Sequence, residues 1–134
     1  MSIYAEYAPH YLSRGIPVIP LRENSKRPIP LNWSNYASQA IPQHLIEEWL
    51  TYTGNIGLVL GPRSGISVLD IDSDSPEIIR ALESVLPQSP WKRIGKKGYV
   101  VAFRFNPNLK TFRIKNRTLG SICEYLSEGT QVVL

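Results

Sequence analysis

The chain is short of soft metal ligands: 134 residues hold one cysteine, Cys123, and two histidines, His10 and His44. A lone thiol excludes an internal disulfide. Three nitrogen or sulfur ligands also fall short of a structural zinc site, so no zinc is expected. A metal held by this chain would use oxygen ligands, which suits Mg²⁺ or Mn²⁺. Long apolar runs are missing too. No stretch approaches ~18 apolar residues, so no membrane span is expected. The opening "MSIYAEYAPH" lacks the basic-then-apolar order of a secretory signal, which makes the cytoplasm the expected compartment. There are no repeats, low-complexity tracts or linkers, and the length is that of a single domain, 1–134. The apolar ending "QVVL" reads as a strand cut short, hence a domain truncated at its C-terminus.

Acid is absent from one long stretch. Between Trp91 and Arg117 lie Lys92, Arg93, Lys96, Lys97, Arg104, Lys110, Arg113, Lys115 and Arg117, with no Asp or Glu. The formal net charge is only +4, so its segregation says more than its size. Such a block suits a polyanion, either nucleic acid or nucleotide phosphate, and it equally suits a solvated basic face.

What is present reads as α+β. Residues 2–14 predict a helix ending before Gly15, with Pro9 kinking it or marking its start. "IPVIP" predicts a short strand, and "LRENSKRPIPLNWSNY" a polar loop. Pro42 opens a second helix to about Tyr52, with Leu45, Ile46, Trp49 and Leu50 as its apolar stripe. "NIGLVLGPRSGISVLDID" reads as two strands joined in a hairpin. "DSPEIIRALESVLP" is the clearest helix, capped by Ser75 with Pro76 first, its core face Ile78, Ile79, Leu82, Val85 and Leu86. "GYVVAFRF", "KTFRIK", "SICEYL" and "QVVL" read as strands. The order α-β-loop-α-β-β-α-β-β-β-β implies a mixed or antiparallel sheet flanked by helices.

The segment "ISVLDIDSD" carries aspartates at alternate positions, Asp70, Asp72 and Asp74. Asp70 and Asp72 would project from one strand face with Cα atoms ~6.5–7 Å apart. Carboxylates so close repel, and a divalent cation removes that cost. Two such ions ~3.5–4 Å apart are the usual device of phosphoryl and nucleotidyl transfer. Solvated acids at a strand end, with Asp74 capping the helix, fit the same pattern. A Ca²⁺ loop does not fit: Ser75 stands where glycine is needed and Ala81 where a bidentate glutamate is needed. The turn Gly95-Lys96-Lys97-Gly98 offers close backbone approach and charge for phosphates, although it lacks Walker A spacing. An ordinary hairpin turn with exposed lysines is the alternative. Arg104 would share a strand face with Ala102 and Val100. Glu124 would share one with Ile122, while Cys123 faces a core; a solvated edge acid is the plainer reading of Glu124. Glu128 reads as a turn residue, Trp33, Trp49 and Phe103 as core, and His10 and His44 as non-catalytic.

In order and content the chain resembles the N-terminal catalytic domain of bifunctional DNA primase-polymerases, the prim-pol branch of the archaeo-eukaryotic primase superfamily. The likeness runs through "SRGIPVIPL", "SKRPIPLNW", "IPQHLIEEWL", "GNIGLVLGPRSGISVLDIDSD", "GKKGYVVAFRF" and "EYLSEGTQVVL". It implies a core related to the RNA-recognition fold. The family's metal-binding D-x-D/E motif maps onto Asp70 and Asp72, and its third acid onto Glu124. Two Mg²⁺ or Mn²⁺ ions on these acids would serve templated transfer of (d)NTPs onto a DNA primer in phage, plasmid or mobile-element replication. Lys96, Lys97 and Arg104 would hold phosphates, and Lys26 and Arg27 would touch nucleotide or template backbone. Helicase and template-binding segments would lie beyond this chain. Many members carry a nucleotide-binding histidine where this chain has Val100, continue into a Pro-Pro-Ser-type segment, and in some cases bear a zinc element. A catalytically inactive single-stranded nucleic-acid-binding module of the same fold is the alternative. A sugar-nucleotide transferase is disfavoured, because no nucleotide-binding βαβ unit precedes the acidic motif.

Overall fold

In the computed structural model, which describes residues 3–95, 97–118 and 120–134, the elements follow in this order. They are α1 (Ile3–Leu12), β1 (Val18–Pro20), a 3-10 turn (Trp33–Ala37), α2 (Gln43–Trp49), β2 (Ile56–Val59) and β3 (Ile66–Ile71). Then come α3 (Pro76–Val85), β4 (Lys92–Ile94), β5 (Tyr99–Arg104), β6 (Phe112–Asn116), β7 (Gly120–Leu126) and β8 (Gln131–Val133). The class is α+β with two antiparallel sheets. Among the described residues no helix is long and apolar enough to cross a membrane. The chain divides into two compact units: residues up to Gly65 with Glu128–Leu134, and Ile66–Ser127.

The first unit is built on the antiparallel sheet β1-β2-β8. α1 buries Tyr4 and Ala8, one turn apart, and the Tyr4 hydroxyl donates to the Val18 carbonyl at 3.0 Å. Gly15, at φ 75°, ends the helix: its N–H donates to Leu12 O, and Ile16 N–H reaches back to Tyr11 O. Pro9 lies exposed inside α1 rather than at its start. α2 is shorter than its stripe suggests. Leu50, Thr51 and Tyr52 each donate to the carbonyl three residues back, which tightens the chain out of the α-helix. Trp49 is its one buried side chain, and Leu50 is exposed.

The expected hairpin does not form. β2 pairs with β1 and β8, whereas β3 pairs with β5 and β7. The connection lacks the two-residue turn chemistry that matches strand twist. It folds on itself instead: Gly65 N–H donates to Gly61 O, and Arg63 N–H to Ala37 O. β2 is buried at every residue, and both its edges are occupied.

The second unit is the five-stranded antiparallel sheet β4-β5-β3-β7-β6 with α3 on one face. Alternation puts Leu69, Ile71, Tyr99, Val101, Cys123 and Tyr125 on that face, and Ile79 and Leu82 of α3, with Leu86 just past its end, pack against them. Ser75 caps α3, its hydroxyl accepting from Ile78 N–H, with Pro76 at the first position. Val85, expected in the core, is 77% exposed. The Tyr125 hydroxyl donates to Ser67 Oγ at 2.8 Å, and the bond is buried. β4 is unheralded by the sequence pattern; it is three residues long, Lys-Arg-Ile, with only the central Arg93 half-buried.

Tyr99 joins this face to α3, its hydroxyl donating to Glu83 Oε1 at 2.7 Å. Burial first, then the hydrogen bond and charge of Glu83, push the phenol up to about 12. A raised value in the folded state means that the protonated phenol favours the fold. That contribution is intact below pH ~10 and is lost as pH rises through about 12. Glu83→Gln is expected to move the Tyr99 transition only part of the way back, because burial remains. Ultraviolet titration of tyrosinate, with Tyr99→Phe as the blank, measures it; an unmoved transition would exclude Glu83 as a cause.

Candidate functional site

The face of the five-stranded sheet opposite α3 is where the charge lies. Leu69 and Ile71 point into the core, so Asp70 between them points the other way. Antiparallel register places Asp70 opposite Glu124 on β7 and opposite Val100 on β5. The row continues to Arg93 on β4 and Arg113 on β6. Five side chains therefore cross the sheet in line: Arg93, Val100, Asp70, Glu124, Arg113. Directly opposed residues have Cβ atoms about 4.5–5.5 Å apart. Two carboxylates thus face each other at the middle, with a guanidinium at each end.

Asp72 extends the same face. It lies just past β3, and its N–H still donates to the Ile122 carbonyl at 2.8 Å, continuing the ladder. Its side chain is exposed. Asp74 is exposed in the connection to α3, where Ser75 supplies the cap. Cys123 turns into the core, and burial pushes its thiol up. Arg113 Nη2 bonds to Glu124 Oε2 at 3.1 Å. The carboxylate donors suit a hard divalent ion. Yet among the described residues no three His, Cys, Asp or Glu side chains stand together as a metal cluster. Glu124 is engaged by Arg113 instead.

The remaining candidates divide. The Gly95–Gly98 turn is closed by Gly95 N–H to Gly98 O at 3.3 Å. Gly98 has φ 71°, and a Cβ there would strike the Ile71 carbonyl and approach Ser73 O to 2.9 Å. The turn therefore packs on the backbone that presents Asp72. Lys97 is exposed on it, and Lys96 lies outside the described residues. Arg104 shares the acid face but pairs with Ile66, four residues beyond Val100, or about 14 Å along the strand. It is not in the Asp70 row. Lys26 and Arg27 are exposed in the other unit, in a loop closed by the Leu21–Pro28 bridge and by Arg22 N–H to Arg27 O. Val100, at the place where a histidine is expected, is buried beside Asp70.

In the sequence Arg93 and Arg113 read only as members of a basic block. Strand alternation gives their faces, but only cross-strand register shows that they bracket the acids. Arg93 is half-buried, and its Nε is a buried donor without a hydrogen-bond partner among the described residues. Lys92 turns away, its ammonium 3.9 Å from the centre of the Tyr99 ring.

The family model Prim-Pol, described as bifunctional DNA primase/polymerase, N-terminal, matches residues 8–134. No curated protein matches the chain.

Gly98→Ala tests the seating of the basic turn. A left-handed φ and a backbone clash add, so a loss of about 2 kcal/mol or more is expected. Urea unfolding measures it; a loss under ~0.5 kcal/mol would show that the turn is not held against β3.

Proposed function

Because the chain belongs to the bifunctional DNA primase/polymerase N-terminal family, we propose that the acid face of its five-stranded sheet is a nucleotidyl-transfer site. The setting would be the replication protein of a phage, plasmid or mobile element. The opposition of Asp70 and Glu124 across β3 and β7, with Asp72 on the same face, carries this reading. Asp70, Asp72 and Glu124 would hold Mg²⁺ or Mn²⁺. When bound, such ions neutralise the triphosphate and lower the pKa of a primer 3′-hydroxyl. The chain's own part is to place the charges. The hydroxyl oxygen forms a bond to the α-phosphorus of a (d)NTP while the bond to pyrophosphate breaks. Lys97 on the turn beside Asp72, and Arg93 at the end of the row, would take phosphate oxygens, as would Lys96, which lies outside the described residues. Arg104 would serve further along the face, and Lys26 and Arg27 would meet template or nucleotide backbone. Val100 gives Asp70 an apolar neighbour, so base and sugar recognition falls to other groups.

Asp70→Asn, Asp72→Asn and Glu124→Gln are each expected to lower Mn²⁺-dependent primer extension by more than the roughly 10–100-fold that loss of an outer-shell partner costs. The circular dichroism spectrum should stay unchanged. Extension at the parental rate by any of the three would remove that residue from the site.

One observation favours a second reading, a single-strand-binding module without catalysis. β6 is an edge strand exposed at every residue. Phe112, 46% exposed, stacks on Tyr125 with ring centroids 5.4 Å apart, and Lys110, Lys115 and Arg117 are exposed on β6 and its flanks. An aromatic platform among cations is how single strands are held without sequence preference. Phe112→Ala is expected to weaken binding of a single-stranded oligonucleotide roughly tenfold. Fluorescence anisotropy with and without chelator measures this. Binding unaffected by chelator, together with no extension by the parent, would favour the module over the enzyme.

A further inference from the structure

We propose that Arg113 occupies Glu124 in the metal-free protein, yields it to a divalent ion, and then turns its guanidinium to a phosphate of the incoming nucleotide. The inference rests on the metal site proposed above. It starts from a conflict in the structure. The face carries the right donors, yet the glutamate is ion-paired to an arginine and, among the described residues, no metal cluster stands ready.

Three observations resolve that conflict. Arg113 and Glu124 are register partners on β6 and β7, so the pair is set by the sheet rather than by a chance approach. The two side chains are 47% and 29% exposed, so solvent weakens the bond, and a doubly charged ion can displace it. Glu124 also faces Asp70, and two carboxylates opposed across a ladder repel. Arg113 offsets that repulsion while no ion is there. An ion that takes Glu124 makes the guanidinium redundant at that spot and leaves it at the edge of the same face. A planar fork of donors matches phosphate geometry. β6 is the outermost strand, so the side chain has room to swing outward.

The test titrates Mn²⁺ alone into the full chain, with free ion followed by electron paramagnetic resonance. Arg113→Ala is expected to bind Mn²⁺ about two- to fivefold tighter than the parent, the gain that follows from removing an exposed competing pair. Arg113→Lys, which keeps the charge, should stay within about twofold of the parent. Glu124→Gln in the Arg113→Ala background should cancel the gain. The sign reverses with Mn²⁺ plus a non-hydrolysable deoxynucleoside triphosphate: Arg113→Ala should bind the analogue several-fold more weakly, by roughly the worth of one charge-assisted bond. Should Arg113→Ala fold poorly, Arg113→Met keeps the aliphatic stem and carries the same expectations. Mn²⁺ binding no tighter in the alanine and methionine variants, or a gain that survives Glu124→Gln, overturns the proposal. Unaltered Mn²⁺ affinity in Asp70→Asn would sink the metal site itself. An Asp70 effect without an Arg113 effect would sink only the exchange.

Discussion

Like charges set side by side on a sheet must be balanced, and that requirement organises the second unit. Asp70 and Glu124 are opposed on adjacent central strands, with Asp72 a step further on. Folding brings them together because the other face demands it. Leu69, Ile71, Cys123 and Tyr125 must meet α3, and a period of two then leaves the intervening acids no choice of side. The apolar core thus fixes the polar geometry, and the energy released by covering one face offsets the repulsion on the other. The sheet supplies balancing charge at both ends of the row in Arg93 and Arg113.

The basic residues, one undivided block in the chain, separate into distinct surfaces once folded. Arg93, Arg104 and Arg113 alternate onto the acid face. Lys92 crosses to the helix side and lies over Tyr99. Lys97 rides on the glycine turn against the end of β3, and Lys110, Lys115 and Arg117 are exposed on β6 and its flanks. A stretch with no acid is thereby divided between two faces of the sheet and its edge.

Much of this was legible in the residues. α3 announced itself through Ser75, Pro76 and its apolar stripe, and the faces of Asp70, Glu124 and Cys123 followed from alternation alone. The failures share one physical origin, since pairing is a long-range property. The Gly61–Gly65 segment looked like a hairpin turn because glycine and proline mark turns of many kinds, and nothing local told that β2 and β3 join different sheets. The three residues of β4 carry too little period to mark a strand, and the apolar stripe of α2 continues past its end into a 3-10 turn. Arg113 is the sharpest case. Its type and face were readable, but its bond to Glu124 depends on the register of two strands.

The strand order carries a consequence for how the molecule comes into being. β7 enters between β3 and β6, so the partner of Asp70 arrives from a late segment of the chain. More than fifty residues separate Asp70 and Asp72 from Glu124 in the chain. The chemistry proposed for this face therefore depends on a pairing between strands far apart in the chain, β3 with β7.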